Sequence, residues 1–183
     1  TVSGARAVLE HPVGQQAELK HCDRTYRLVL GERDVIDADV FDRAAAAALE
    51  PAGGGPRLRA LELAVARWGG EPLPEDRYEG WATSWRERLL DLYAQTLGAL
   101  ADASTAAGNH AAAIDASSRQ VELDPLDEGA HRRLMLTYAR SGRRGHALRQ
   151  YLACRRALVE TLGIEPGEET TALQRRILAG ERV

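Results

Sequence analysis

Lysine is almost missing from this chain: Lys20 is the only one among 24 basic residues, and arginine supplies the rest. That bias points to the codon usage of a GC-rich bacterial genome rather than to a physical demand. Phenylalanine occurs once, at Phe41, and aromatics total 5%, too few large rings for a β-sandwich core. The two cysteines, Cys22 and Cys154, lie far apart, which excludes a disulfide framework and a thiolate zinc site. A reduced, cytoplasmic setting is expected. No apolar run approaches about 18 residues, so no membrane span is read, and no signal peptide is recognisable. The histidines His11, His21, His110, His131 and His146 form no pair at metal-ligand spacing on one helix face. The segment PAGGGP lacks the lysine and the preceding strand of a phosphate loop. No Ser/His/Asp or Cys/His arrangement stands out. These absences nominate no catalytic, cofactor-binding or metal-binding residue, and an enzyme is not expected.

What is present favours helix. Alanine, leucine, glutamate and arginine dominate, apolar residues make up 44% and charged residues 28%. The net charge of −3 is unlike the basic balance of a dedicated DNA-binding domain. With 183 residues beginning at Thr1, the chain reads as an excised piece of something longer.

Residues 1–36 differ from the rest. Residues 2–10 read as the end of a helix stopped near His11-Pro12. The segment AELKHCDRTYRLVL then offers two extended stretches, 17–21 and 25–30, with a turn at Cys22-Asp23-Arg24. Tyr26, Leu28 and Leu30 alternate onto one face. From Asp37 onward the pattern is helical. Asp37 or Asp39 is expected to cap a helix to about residue 49. Helices follow over about 56–68, with Leu58, Leu61, Val65 and Trp68 on one stripe, and over about 81–106, with Trp81, Trp85, Leu89, Leu92 and Thr96 near one face. Asn109 is expected to cap the next helix, and Asp124-Pro125 to open another as cap and first residue. A helix to about residue 162 has an expected buried stripe of Ala147, Leu148, Tyr151, Leu152, Leu158 and Leu162. The last runs over about 168–179 with glutamates in its first turn.

The spacing is informative. Gly108 and Gly142 are 34 residues apart, as are Ala113 and Ala147, and Leu100 and Leu134. A helix–turn–helix unit of that length, with glycine at the turn and alanine early in the second helix, is the tetratricopeptide pattern. The helices of 39–68 form a candidate third, degenerate pair. The expected fold is all-α: a tetratricopeptide-like helical repeat array with a short N-terminal β-hairpin.

Between Gly129 and Val159 there are eight arginines and no acid: Arg132, Arg133, Arg140, Arg143, Arg144, Arg149, Arg155 and Arg156. They read either as a basic patch for phosphate or an acidic partner, or as solvated positions paired with Glu160, Glu165, Glu168, Glu169 or acids on earlier helices. Thin aromatic interleaving and the acidic overall charge favour the second. Trp81 and Trp85, four apart, read as a groove wall or as the seam between helix pairs. His131, three residues after Glu128, reads as a surface hydrogen bond.

The series Trp68-Gly69-Gly70-Glu71-Pro72-Leu73, then Asp124-Pro125-Leu126 with Glu128 and His131, then Leu134-Met135, Gly142-Arg143, Ala147-Leu148, Tyr151 and Leu162-Gly163-Ile164-Glu165-Pro166 resembles the bacterial transcriptional activator domain of the actinobacterial antibiotic regulatory protein family. The resemblance covers about residues 37–178. In that family the module follows an OmpR-type winged helix, and residues 1–36 resemble its tail: the end of the recognition helix and the wing. The resemblance implies domains at 1–36 and 37–183, and DNA contacts at Arg6, Lys20, His21 and Arg24. Five bases and five acids balance within 1–36, so this tail is expected to bind duplex DNA weakly. The implied function is protein–protein contact in transcription activation: self-association as a homodimer, RNA polymerase, or other domains of the parent regulator, whose complete winged helix would hold DNA. Trp81, Trp85, Tyr138, Arg143, Arg144 and Arg149 are the expected partner-binding residues. The alternative is direct DNA binding through the wing and the basic 132–156 stretch; a ligand-binding groove is a third reading.

Overall fold

The computed structural model describes residues 18–22, 25–29, 36–50, 54–76 and 79–183. The expected recognition-helix tail, with Arg6, and the turn residue Arg24 lie outside the described residues. Strands β1 (Glu18–Cys22) and β2 (Thr25–Val29) pair antiparallel, with Glu18 opposite Val29 and Cys22 opposite Thr25. Lys20 and His21 fall on β1.

Seven α-helices follow among the described residues: α1 (Asp37–Leu49), α2 (Gly54–Ala66), α3 (Gly80–Ala106), α4 (His110–Leu123), α5 (Glu128–Arg140), α6 (Arg144–Leu162) and α7 (Glu168–Ala179). Consecutive helices pack against one another, and α3 also packs on α1. The architecture is the tetratricopeptide-like array expected from the spacing.

The 34-residue period reappears in the hydrogen bonds. At the α3–α4 turn, Gly108 N–H donates to the Thr105 carbonyl at 3.0 Å and Asn109 N–H to Ser104 at 2.8 Å. At the α5–α6 turn, Gly142 donates to Ala139 at 3.0 Å and Arg143 to Tyr138 at 2.8 Å. Both glycines take left-handed backbone, φ +75° and +73°, where a Cβ is costly. Ala113 and Ala147, early in the second helix of each pair, are fully buried, and Leu100 and Leu134 are buried too.

Two apolar clusters result. The first joins α1, α2, α3 and α4 through Phe41, Ala45, Leu61, Leu89, Tyr93, Leu97 and Ala116. The second joins α5, α6 and α7 through Met135, Ala147, Leu173 and Ile177.

Several local expectations are corrected. Ile36, not Asp37 or Asp39, is the α1 N-cap, and both aspartates sit in the first turn, where their charge suits the dipole. Asn109 caps α4 as expected, accepting from Ala112 N–H at 3.2 Å. Asp124 does not open α5. Its carboxylate accepts from Leu126 N–H at 2.9 Å in a local turn, and Asp127 caps the helix through Gly129 N–H at 2.7 Å. Trp68 lies just past the end of α2 and still packs on the first core. On α6, Leu152 and Leu162 are exposed, while Cys154 lies fully buried in line with Ala147 and Leu158.

Candidate protein-contact site

The glycine-rich strap between α2 and α3 folds onto an aromatic cluster. Trp68 stacks on Tyr93 with centroids 4.2 Å apart and planes at 8°. Phe41 meets both edge-on, at 4.9 Å from Trp68 and 5.9 Å from Tyr93. Arg119 lies 5.5 Å from the Tyr93 ring centroid and donates to its hydroxyl. Burial pushes the Tyr93 hydroxyl pKa above its ordinary value, with Arg119 opposing. Arg86, nearly buried on α3, donates to the Pro72 carbonyl at 2.8 Å and to Glu71 Oε1 at 2.6 Å. This charged, forked contact fixes a strap whose Leu73 sits at the unfavourable φ of +46°. A cavity of about 270 Å³ remains beneath it, lined by Asp37, Phe41, Trp68 and Trp85 among others. The Trp-Gly-Gly-Glu-Pro-Leu signature is therefore a fastening.

The expected tryptophan pair divides. Trp85 packs against the first core, whereas Trp81 is 69% exposed at the start of α3. Tyr138 is half-buried, its ring 5.2 Å from that of His146, and lies just before the α5–α6 turn, where Arg143 and Arg144 follow. Arg144 donates to the Leu178 carbonyl. Arg149 is exposed farther along α6. The six expected partner residues are thus distributed over the array rather than gathered at one point.

Most of the arginine run is engaged. Arg132 pairs with Glu169 at 3.0 Å, Arg133 with Asp102 at 3.1 Å and Arg155 with Glu165 at 2.6 Å. The doubly hydrogen-bonded Arg155 holds Glu165 below the usual carboxylate range. Arg140 donates to the Val183 carbonyl at 3.1 Å. Among the described residues Arg143, Arg149 and Arg156 have neither an ion pair nor a side-chain hydrogen bond.

A wide concavity runs along α5. Arg133, Leu136, Thr137 and Arg140, at helical spacing, line a cavity of about 390 Å³ with Asp102, Thr105 and His110. Arg140 also lines a neighbouring concavity of about 340 Å³, together with Arg144, Ile177, Glu181 and Arg182 among others. Four arginines against Asp102 and Glu181 make this groove electropositive. Sequence reasoning counted Arg133 and Arg140 but did not select them. Their seven-residue spacing, two turns on one face, was the available signal.

His131 is not on the surface. It is buried, its Nε2 3.0 Å from the Pro125 carbonyl and its Nδ1 accepting from Gln150 Nε2 at 2.7 Å, so it ties the α4–α5 loop to α6. Cys154 is fully buried. Desolvation, chiefly, pushes its thiol pKa up to about 11, with Glu128 adding and Arg132 opposing. A thiolate is the reactive form. We expect Cys154 to resist iodoacetamide at pH 8 in folded protein and to label fully in denaturant, as read by peptide mass spectrometry. Substantial native labelling would contradict the packing. Among the described residues no cluster of three or more His, Cys, Asp and Glu side chains could hold a metal ion, and no helix is long and apolar enough to cross a membrane.

The profile of the bacterial transcriptional activator domain matches residues 36–178. The regulatory protein AfsR of Streptomyces griseus is 32% identical over 153 residues, which covers 82% of this chain and 16% of AfsR. The transcriptional regulatory protein MoaR1 of Mycobacterium tuberculosis is 29% identical over 156 residues, covering 84% of this chain and 50% of MoaR1. Among solved structures, M. tuberculosis EmbR in complex with a low affinity phosphopeptide superposes with TM-score 0.63 at 25% identity, covering 90% of this chain and 44% of EmbR. The chain thus spans half or less of these relatives. The match covers well over half of the chain, and the chain belongs to the bacterial transcriptional activator domain family.

Proposed function

We propose that residues 37–183 form the contact platform of a larger cytoplasmic transcriptional regulator, engaging an acidic protein segment in the groove along α5. The segment would come from RNA polymerase or from another domain of the same regulator. The observation that carries this is a pair of concavities sharing Arg140, in which Arg133, Arg140, Arg144 and Arg182 outnumber Asp102 and Glu181. Positive potential focused in a concavity steers an acidic partner and raises its rate of encounter. Tyr138 and Arg143, beside Arg144 at the α5–α6 turn, would extend the contact; Trp81, Trp85 and Arg149 do not line these concavities and would serve partner contacts elsewhere on the array. Residues 1–36 would be the tail of a winged helix, with Arg6, Lys20, His21 and Arg24 toward DNA.

The rival reading puts the 132–156 stretch on DNA phosphate. The engagement of Arg132 and Arg155 by carboxylates argues against it, since each would have to exchange a close partner for a phosphate. Fluorescence anisotropy separates the two. A labelled acidic amphipathic peptide is expected to bind, and Arg140→Glu with Arg144→Glu to weaken it at least about tenfold, the loss of favourable charge pairs at an interface. A generic labelled duplex is expected to bind marginally at low and physiological salt. Tight duplex binding that collapses with salt, with no peptide binding, would overturn the platform reading.

A further inference from the structure

The cavity beneath the fastened strap has no part in the α5 groove. Asp37 and Phe41 line it from α1, Arg67 and Trp68 from just past α2, and Trp85 and Leu89 from α3. It holds about 270 Å³. At about 30 Å³ per water that is the space of about nine waters, just under the roughly 300 Å³ at which pockets for drug-sized ligands begin. A nucleotide is too large for it and a small metabolite is not. The strap keeps this shape at a cost. Leu73 holds its φ of +46°, and a Cβ added at Gly69 would lie 3.0 Å from Asp37 Oδ2. Backbone strain of this kind collects at ligand clamps.

The charges select the ligand. Glu71 also lines the cavity, but its carboxylate already accepts from Arg86 at 2.6 Å. Asp37 and Arg67 differ. Among the described residues neither takes part in an ion pair, and Arg67 makes no side-chain hydrogen bond. Asp37 accepts only from the adjacent Ala38 N–H, through Oδ1. The two line the same cavity without closing on one another. A lone cation there would meet Arg67, and a lone anion would meet Asp37. A molecule carrying both signs satisfies both, its ammonium toward Asp37 and its carboxylate forked by the Arg67 guanidinium. Phe41, Trp68, Trp85 and Leu89 then offer an apolar floor and walls for a short hydrocarbon body.

We propose that the cavity under the strap is a binding site for a free apolar α-amino acid. L-leucine, with about nine non-hydrogen atoms, matches the space, and at ordinary ligand efficiency it binds with a Kd of about 10 μM to 1 mM. The bound molecule ties α1 and the strap to α3, so it stabilises the first core and gives the regulator a means of sensing amino-acid supply.

Isothermal titration of the whole chain with L-leucine and L-phenylalanine tests it. Tryptophan emission gives a second readout, since Trp68 and Trp85 are two of the three tryptophans. Isopentylamine and 4-methylpentanoate, which are leucine without its carboxylate and without its amine, are each expected to bind wild-type protein at least about tenfold more weakly than leucine, because each leaves one charge unanswered. Asp37→Asn is expected to lose leucine affinity by about tenfold or more and to keep that for 4-methylpentanoate. Arg67→Gln is expected to lose leucine likewise and to keep isopentylamine. This crossed selectivity is the decisive result, since a general loss of stability would weaken all three ligands together. Three outcomes overturn the proposal: no binding of either amino acid up to about 20 mM, well above the expected range; an amine or an acid that binds wild-type protein as well as leucine does; or variants whose losses do not cross. A chain that binds the acidic peptide and neither amino acid removes this site and leaves the contact-platform reading standing.

Discussion

Replacing Phe41 by alanine is expected to lower the unfolding free energy by about 3–5 kcal/mol, the range for truncating a fully buried phenylalanine. Phe41 is 1% exposed and lies where α1 meets the strap and α3. It is the only phenylalanine in the chain, so its ring is not backed by another of its kind. Removing it opens a void against two further rings. Trp68 loses an edge contact at 4.9 Å, and Tyr93 one at 5.9 Å. Phe41→Leu fills most of the space and forfeits mainly the ring–ring geometry, worth about 0.5–1.5 kcal/mol. Urea titration followed by tryptophan emission measures both. Amide exchange locates the damage. In a repeat array each unit depends chiefly on its neighbours, so protection is expected to fall over residues 37–66 while α5 to α7, with their separate core, keep theirs. A loss under about 1 kcal/mol would mean that the aromatic cluster closes without Phe41 and does not hold the first helix pair.

The repeat was legible in the sequence because its period is imposed by backbone geometry. A left-handed turn needs glycine, and a close helix crossing needs alanine. Both recur at a fixed distance whatever the rest of the sequence does. The caps were less legible. Asp124 and Asp127 both stand before α5, and a carboxylate at either position finds a free N–H; only the path of the loop decides which one caps the helix. On α6 apolar residues fall on two sides. Leu148, Tyr151 and Leu158 pack inward and Leu152, Val159 and Leu162 do not, a choice made by α5 and α7 and invisible in the periodicity of α6 alone. His131 looked like a surface residue because its partner Gln150 lies 19 positions away, on the next helix. The arginines could be counted from sequence. Which of them are occupied could not, since Asp102 meets Arg133 across 31 positions and Arg132 reaches Thr170 across 38. The contact residues chosen from sequence were scattered for the same reason: local prominence does not say what faces a common groove.

The second large effect is expected at Glu128, a residue whose place in the family signature gave no hint of its role. Helix α7 begins after Gly167 and has no side-chain cap of its own. Its opening is instead capped from 39 positions earlier. Both carboxylate oxygens of Glu128 accept from Gly167 N–H, at 3.1 and 3.0 Å, and one also accepts from the Thr170 hydroxyl. Arg132 completes the joint, donating to Thr170 at 3.2 Å and pairing with Glu169 at 3.0 Å. Thr170 is fully buried, so losing Glu128 leaves its hydroxyl proton without that acceptor, although Arg132 still donates to the oxygen, and uncaps a helix N-terminus. Glu128→Ala is expected to cost about 2–3 kcal/mol, the sum of a lost cap and a broken charge-assisted bond. Glu128→Gln keeps an acceptor oxygen without the charge and is expected to cost about 1 kcal/mol, the smaller loss of a neutral for a charged bond. Combining Glu128→Ala with Thr170→Val should recover part of the loss, because the hydroxyl proton left without that acceptor is then gone. The effect should be local first: α7 loses exchange protection, and Leu173 and Ile177 leave the second core. Since α7 also forms one wall of the groove through Ile177, the alanine variant should weaken acidic-peptide binding without any change in the arginines. If stability falls and peptide binding does not, the groove functions without α7, and its working part lies at the Asp102–Arg133 end.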